Sequence, residues 1–191
     1  MNEIDRIALV DLDGTVADYD SALAYEMEQL RSPKESIFNG WDDVPPYIER
    51  RRHLIKRTTK FWKNLPRLKL GFEIVEELEK LGFSLHVLTK GPKKCRKAFT
   101  GKAKWVDKHL PQAALHISDQ KSLVYGRILV DDFPPYFEKW LKVRPRGLVV
   151  CVAQAWNLGF HNGTNIFRYD GSNREELRIV LQNAYNRPAG P

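Results

Sequence analysis

The sequence predicts a Rossmann-like three-layer α/β/α core on a mainly parallel sheet, with a helical cap inserted after the first strand. Three observations carry that expectation. Short continuous apolar runs bounded by turn residues recur along the chain, as strands buried on both faces do. Stretches with apolar residues at helical spacing alternate with them, the pattern of a layered α/β domain. One stretch, 19–70, has helical patterns and no convincing strand.

The first run, Ile7–Val10, ends on Asp11 and opens into a turn at Gly14. Within 19–70, helices are expected over 21–31 and 47–60, separated by Pro33 and by Pro45-Pro46. Residues 72–81 place apolar side chains at 72, 74, 75, 78 and 81, and Gly82 follows where a C-terminal glycine cap belongs. Further strands are expected at 83–88, 114–118, 127–130 and 147–152. Trp105, Val106, His109 and Leu110 form one face of a helix stopped by Pro111. Near the end, Ser172-Asn-Arg-Glu175 has the pattern of a capping box, and Leu177, Val180, Leu181 and Ala184 follow at i, i+3, i+4 and i+7. The expected organisation is a core of 1–18 and 71–186, a cap of 19–70 and a loose tail at 187–191.

At 191 residues, 42% apolar and 29% charged, the chain is neither disordered nor membrane-embedded in composition. A domain of this length buries roughly 70% of the surface its unfolded chain exposes. No apolar run approaches the ~18 residues that span a bilayer. The first residues have neither the basic start nor the apolar stretch of a signal peptide. Cys95 and Cys151 are too few for a disulfide framework and lack metal-ligand spacing, so a reducing, cytoplasmic setting is expected. The net charge of +7 favours anionic partners, phosphate esters or nucleic acid, without choosing between them. Oligomeric state is left open.

The strongest chemical signal is Asp11-Leu-Asp-Gly-Thr-Val-Ala-Asp18, at the C-terminal edge of the first strand, where open α/β sheets place their ligands. Asp11 and Asp13 would point the same way in a continuing strand, but Gly14 breaks the chain at once, so the two carboxylates can diverge around one bound group. That suits one nucleophile and one acid/base. A carboxylate attacks phosphorus poorly unless a divalent cation screens the repulsion, so such a site calls for Mg²⁺ and further oxygen ligands. Asp131-Asp132, at the end of a later strand, can supply them; the bland alternatives are a strand-end turn and a helix N-terminus before Pro134-Pro135. Thr89, with Lys90-Gly91, offers a hydroxyl and backbone N–H groups to an anion at another strand end. Lys102 is read as lying at the start of a helix, where the macrodipole disfavours a structural lysine and a phosphate-binding one makes sense.

These motifs, in this order, resemble those of the haloacid dehalogenase superfamily. The sequence is most similar to the 5′(3′)-deoxyribonucleotidase family. Phe61-Trp-Lys-Asn-Leu65 resembles the aromatic pair and leucine that close that family's helical cap. The segments Lys102-Ala-Lys-Trp-Val106, Ile117-Ser-Asp-Gln-Lys121 and Tyr125-Gly-Arg-Ile-Leu-Val-Asp-Asp132 also have counterparts there, as does Trp156-Asn157. The resemblance implies that Asp11 attacks phosphorus to form an aspartyl-phosphate and that Asp13 protonates the leaving oxygen, then activates water. It implies Mg²⁺ held by the Asp11 carboxylate, the Asp13 carbonyl and Asp132, with Asp131 in support. Thr89 and Lys102 would bind the phosphoryl group, with Lys90 beside them, and the substrate would be a small phosphate ester, a nucleoside monophosphate. Asp13 argues against dehalogenation, since a halide needs no proton. Two positions depart from the nucleotidase pattern: Lys90 stands where a serine is usual, and Thr15 where valine or isoleucine is usual.

Other features are open to two readings. Arg50-Arg-Arg-His53 with Lys56-Arg57 can track a nucleic-acid backbone or form the solvated face of a helix. Phe38, Trp41, Tyr47, Phe61 and Trp62 can clamp a base or pack the cap, with Phe61 and Trp62 the candidates for the substrate pocket. A nucleic-acid 3′-end or another small phosphate ester, favoured by the +7 charge, is the second candidate substrate, and a nucleotide- or RNA-binding protein without catalysis on the same fold a third reading. The histidines show no metal-ligand spacing, and core or surface roles are expected of them. Cys95 lies among lysines and Arg96, which could lower its pKa, but no base-and-orienter arrangement is visible.

Overall fold

The computed structural model describes residues 6–37, 44–92, 95–160 and 162–188. Phe38 and Trp41, and the neighbours Lys93 and Lys94 of Cys95, lie outside the described residues. The chain forms two compact units. One comprises Met1–Ala17, Arg67–Lys90 and Gln112–Pro191, the other Asp18–Pro66 and Gly91–Pro111.

The first unit is built on a six-stranded sheet, every pairing parallel, in the order β3-β2-β1-β4-β5-β6. The strands are β1 (Ile7–Val10), β2 (Ser84–Thr89), β3 (Ala114–Ile117), β4 (Ile128–Asp131), β5 (Leu148–Val152) and β6 (Ile166–Tyr169). This is the dinucleotide-fold strand order, in which the chain reverses direction of growth between β1 and β4 and leaves a crevice at their C-terminal ends. Among the described residues its α-helices are α4 (Lys69–Leu81), α6 (Pro134–Val143) and α7 (Arg174–Asn186). Phe137 and Trp140 of α6 pack with Leu9, Leu88, Leu129, Val149 and Cys151 on one face of the sheet. The alternate residues Ala8, Val10, Ile128, Val130, Val150 and Val152 are equally buried, and α4 and α7 pack on each other and against β2 and β6 on that side. Both faces are covered, which is why the strands read as unbroken apolar runs.

Gly82 caps α4 in the left-handed conformation, φ +81°, as its position in the sequence predicts. Two local expectations are corrected. The Ser172–Glu175 capping box does not form: Asn173 is the N-cap and its side chain makes no cap bond, donating instead to Arg168 O while Ser172 bonds Asp170. The edge strand β6 is not among the expected elements, and α6 is there only as the helix N-terminus offered as an alternative reading of Asp131-Asp132; both are part of the core.

The second unit holds α1 (Tyr19–Gln29), α2 (Pro46–Lys56), α3 (Thr59–Lys63) and α5 (Arg96–His109). Asp18 caps α1 by accepting from Ser21 N at 3.1 Å. The single helix expected over 47–60 is two, because Thr58 leaves helical geometry and its hydroxyl accepts from Phe61 N at 3.2 Å, starting α3 afresh. Trp62, Phe61 and Tyr19 form its aromatic cluster, with ring centroids 5.2–5.8 Å apart. The indoles of Trp62 and Trp105 donate to Lys56 O and Leu65 O, both at 2.7 Å.

Candidate active site

Asp11 directly follows β1, and its N–H still donates to Val130 O at 2.9 Å, so the parallel ladder carries it to the crevice beside the end of β4. Asp131 closes β4 and Asp132 follows it. One carboxylate oxygen from each of Asp11, Asp131 and Asp132 lies within 4.8 Å of the others, and all three residues are buried.

The loop between Asp11 and α1 is folded by backbone bonds from Val16 N and Ala17 N to Leu12 O and from Gly14 N to Ala17 O. Gly14 sits at φ +75°, and a Cβ there would fall 2.7 Å from Asp132 Oδ2. Thr15 donates through its hydroxyl to Asp132 Oδ1 at 2.7 Å and accepts from Asp132 N at 3.2 Å. The loop is backed by Gly71 of α4, where a Cβ would meet Thr15 O at 1.9 Å. On its other side Gln154 Nε2 donates to Gly14 O at 2.7 Å, Trp156 Nε1 to Asp132 Oδ2 at 3.1 Å, and Asn157 Nδ2 to Asp132 O at 2.9 Å. Every hydrogen bond of the Asp132 side chain thus fixes its orientation.

Lys121 supplies the cation that sequence reasoning did not single out. It is 4% exposed, and its ammonium lies 2.7 Å from both Asp11 Oδ1 and Asp131 Oδ2. Asp131 also accepts from Phe133 N through Oδ1 at 2.9 Å. Burial pulls the Lys121 ammonium toward neutrality, but the charges of Asp11 and Asp131 more than reverse that, so its pKa lies above the ordinary lysine range. Burial pushes Asp132 well above the ordinary carboxylate range, and the neighbouring charges of Asp131 and Asp11 add to it. Burial likewise raises Asp131, although Lys121 opposes the rise. Three buried carboxylates face one ammonium, an excess of negative charge on hard oxygen donors. The donor set, three buried carboxylates with oxygens within 4.8 Å of one another, fits a divalent cation such as Mg²⁺.

The remaining predicted residues are placed as follows. Asp13 lies half-buried in the turn after Asp11 and is bridged to Ala17. Thr89 is buried at the end of β2, the strand beside β1, with its carbonyl accepting from Ser118 N. Lys90 donates to Tyr136 Oη at 3.2 Å, and the Tyr136 ring lies 4.7 Å from the Lys121 ammonium. Tyr136 therefore links Lys90 to the acidic cluster. Lys102 belongs to the second unit, wholly buried in the middle of α5 rather than at a helix start, so the macrodipole argument for it does not hold. Its ammonium lies 4.9 Å from the Trp62 ring. Phe61 and Trp62, of the same unit, are 6% and 3% exposed.

The structure resembles solved structures of one superfamily. It aligns with a haloacid dehalogenase-like hydrolase from Burkholderia xenovorans LB400 at TM-score 0.54 and 16% identity, covering 97% of this chain and 99% of the other. It aligns with a HAD family hydrolase from Deinococcus radiodurans R1, solved with bound phosphate and sodium, at TM-score 0.56 and 14% identity, covering 97% and 98%. At these identities the likeness is one of fold. No protein with a curated description matches the chain in sequence. The family model described as "5' nucleotidase, deoxy (Pyrimidine), cytosolic type C protein" matches residues 5–187. With that match spanning nearly the whole chain, over a crevice that gathers Asp11, Asp131 and Asp132, the chain belongs to this nucleotidase family and is a phosphoric monoester hydrolase of haloacid dehalogenase fold.

Proposed function

We propose that the chain is a Mg²⁺-dependent phosphomonoesterase that dephosphorylates nucleoside monophosphates, deoxyribonucleotides foremost, through an aspartyl-phosphate. The observation that carries this reading is the cluster of Asp11, Asp131 and Asp132 at the sheet's crevice, with Lys121 bridging two of them. Asp11, the Asp13 carbonyl and Asp132 would hold the cation, with Asp131 in support. When bound, the ion screens the charge between the attacking carboxylate and the phosphoryl oxygens.

The chain's own groups do the rest. Lys121 holds Asp11 Oδ1, which leaves Oδ2 to attack phosphorus as the ester P–O bond breaks. Asp13 gives its proton to the departing alkoxide and then takes one from a water molecule. That water attacks the phosphorus of the aspartyl-phosphate, releasing phosphate and restoring the Asp11 carboxylate. Thr89, Lys90 and Lys102 are assigned to the phosphoryl oxygens, where negative charge grows in the transition state. Selection of the nucleoside is assigned to Phe61 and Trp62 of the helical segment 19–70. The adjacency of Trp62 to Lys102 within one unit supports placing base and phosphate recognition side by side.

The test is phosphate release from a panel of deoxyribonucleotides, ribonucleotides and phosphorylated oligonucleotides, with EDTA and with Mg²⁺ restored. Deoxyribonucleoside monophosphates are expected to be the best substrates and EDTA to abolish turnover. Asp11→Asn is expected to remove activity without unfolding the protein. Asp13→Asn is expected to lower kcat by roughly 10²–10⁴-fold, less on p-nitrophenyl phosphate, whose leaving group needs little protonation. Faster release from oligonucleotide ends than from any mononucleotide would replace this reading.

A further inference from the structure

The net charge is not spread over the molecule. The second unit contains sixteen Lys and Arg against nine Asp and Glu, which leaves +7, while the first contains fifteen of each. All of the net charge therefore belongs to the unit without the acidic cluster. Within that unit, residues 50–63 and 91–108 contain fourteen Lys and Arg and a single acid, Asp107.

The fold joins those two segments. Thr59 Oγ1 donates to Lys97 O at 3.2 Å, Cys95 Sγ to Lys56 O at 3.6 Å, and Gly101 packs against Trp62 Cβ, where a side chain would collide. Arg57, Lys60 and Lys63 form one exposed row along the end of α2 and α3. Lys97, Lys104 and Lys108 form a second, at i, i+7 and i+11 on one face of α5, with Arg96 at its start. The three contacts hold the rows side by side. Among the described residues none of these seven cations has an ion-pair partner, whereas Arg51, from the same run, is used in a bidentate pair with Glu35 at 2.9 Å. Mutual repulsion along two such rows is unfavourable unless an anion of matching length lies on them.

We infer that this α3–α5 face is a binding surface for the phosphate backbone of a nucleic acid. Phe61 and Trp62 are buried beneath it, so the face offers cations without a stacking platform, and binding is to backbone rather than to base sequence. The inference does not rest on the proposed reaction.

The experiment uses the full chain and labelled DNA of about 20 nucleotides, single-stranded and duplex, with hydroxyl groups at every end so that nothing is offered for dephosphorylation. Fluorescence anisotropy is expected to give dissociation constants of about 10⁻⁴–10⁻⁶ M at physiological salt, independent of sequence, with log affinity falling steeply as salt rises. Neutralising four phosphates fewer, as in Lys60→Glu, Lys63→Glu, Lys97→Glu, Lys104→Glu, should reduce the magnitude of that slope by about 3 and weaken binding at least about tenfold. Hydrolysis of p-nitrophenyl phosphate and the circular dichroism spectrum should be unchanged. Asp11→Asn should bind DNA as the wild type does. Wild-type affinity in the quadruple variant overturns the inference, as does wild-type protein that ignores both DNAs but binds phosphatidylserine vesicles.

Discussion

The Lys121 ammonium and the Asp11 carboxylate, 110 residues apart in sequence, meet at 2.7 Å in the interior of the crevice. The same ammonium holds Asp131 at 2.7 Å, so one side chain fixes a carboxylate oxygen at the ends of two adjacent strands. Replacing it with methionine keeps the volume and removes the only cation paired with the cluster among the described residues. Loss of one partner of a buried ion pair costs roughly 3–5 kcal/mol, and Lys121→Met should destabilise by that order in thermal unfolding. Mg²⁺ should restore more of the melting temperature to this variant than to wild type, because the ion then supplies the missing counter-charge. Equal Mg²⁺ responses in the two proteins would count against a metal site at the cluster.

Gly14→Ala should damage the site more than the fold. The backbone there is in the left-handed region, which costs a non-glycine residue about 1 kcal/mol, and the new methyl would sit 2.7 Å from Asp132 Oδ2. Asp132 cannot turn away without breaking its bonds to Thr15 and Trp156. A modest loss in unfolding free energy together with at least a tenfold rise in the Mg²⁺ concentration for half-maximal activity is expected from a titration.

What the sequence revealed of this site, and what it hid, follows from the range of each interaction. Asp11, Asp131 and Asp132 were legible because each ends an apolar run, and a carboxylate at the end of a buried strand is conspicuous. Thr89 stands out in the sequence for the same reason, and it is buried at the end of β2. Lys121 was not, because it stands in a three-residue 3₁₀ turn with no periodicity and its partners lie 110 and 10 residues away. Gln154, Trp156 and Asn157 orient the loop and Asp132 from beyond β5; the segment's motif was visible but not its bonds. In the fold, β6 escaped because it is an edge strand in which Arg168 interrupts the apolar residues, and α6 was visible only as the helix N-terminus offered for Asp131-Asp132, its Pro134-Pro135 forming the first turn. Lys102 lies within a helix, as the sequence predicts, but in its middle, because α5 begins six residues earlier, at Arg96, in a run where Lys93, Lys94, Arg96 and Lys97 outnumber the apolar Ala98 and Phe99.

Acid should loosen the α4–α7 contact first. Glu77, 5% exposed on α4, accepts from Arg178, Arg174 and Lys80, and those hydrogen bonds, Arg178's foremost, hold its pKa down at about 2. A carboxylate with a depressed folded pKa stabilises fully above its unfolded value of about 4.5 and loses that contribution as pH falls toward 2. Denaturant titrations of wild type and Glu77→Gln should therefore differ by about 1–3 kcal/mol at pH 7 and converge steadily between pH 4.5 and 2. A constant difference across that window would place the cost of the substitution in packing rather than charge.

The roles proposed for the aromatic pair of α3 and for Lys102 separate substrate selection from phosphate binding. Trp62 stacks on Tyr19, donates to Lys56 O and carries Lys102 against its ring, so Trp62→Phe leaves Lys56 O with the weak Cys95 thiol donor and loosens the lysine assigned to the phosphoryl group. The phenylalanine keeps an aromatic face for the base, so the loss of kcat/KM in Trp62→Phe should be the same on every substrate, because every substrate brings the same phosphoryl group. Phe61 makes edge contacts with Tyr19 and Trp62 and has no polar role in the unit. Stacking on a base is worth roughly 1–3 kcal/mol, so Phe61→Leu should lower kcat/KM for deoxyribonucleotides by roughly 5- to 150-fold and leave acetyl phosphate within about twofold. Both variants should be assayed well below their melting temperatures, since a buried aromatic also carries packing energy. An equal loss on both substrates with Phe61→Leu would assign Phe61 to the core of its unit and move nucleoside selection elsewhere.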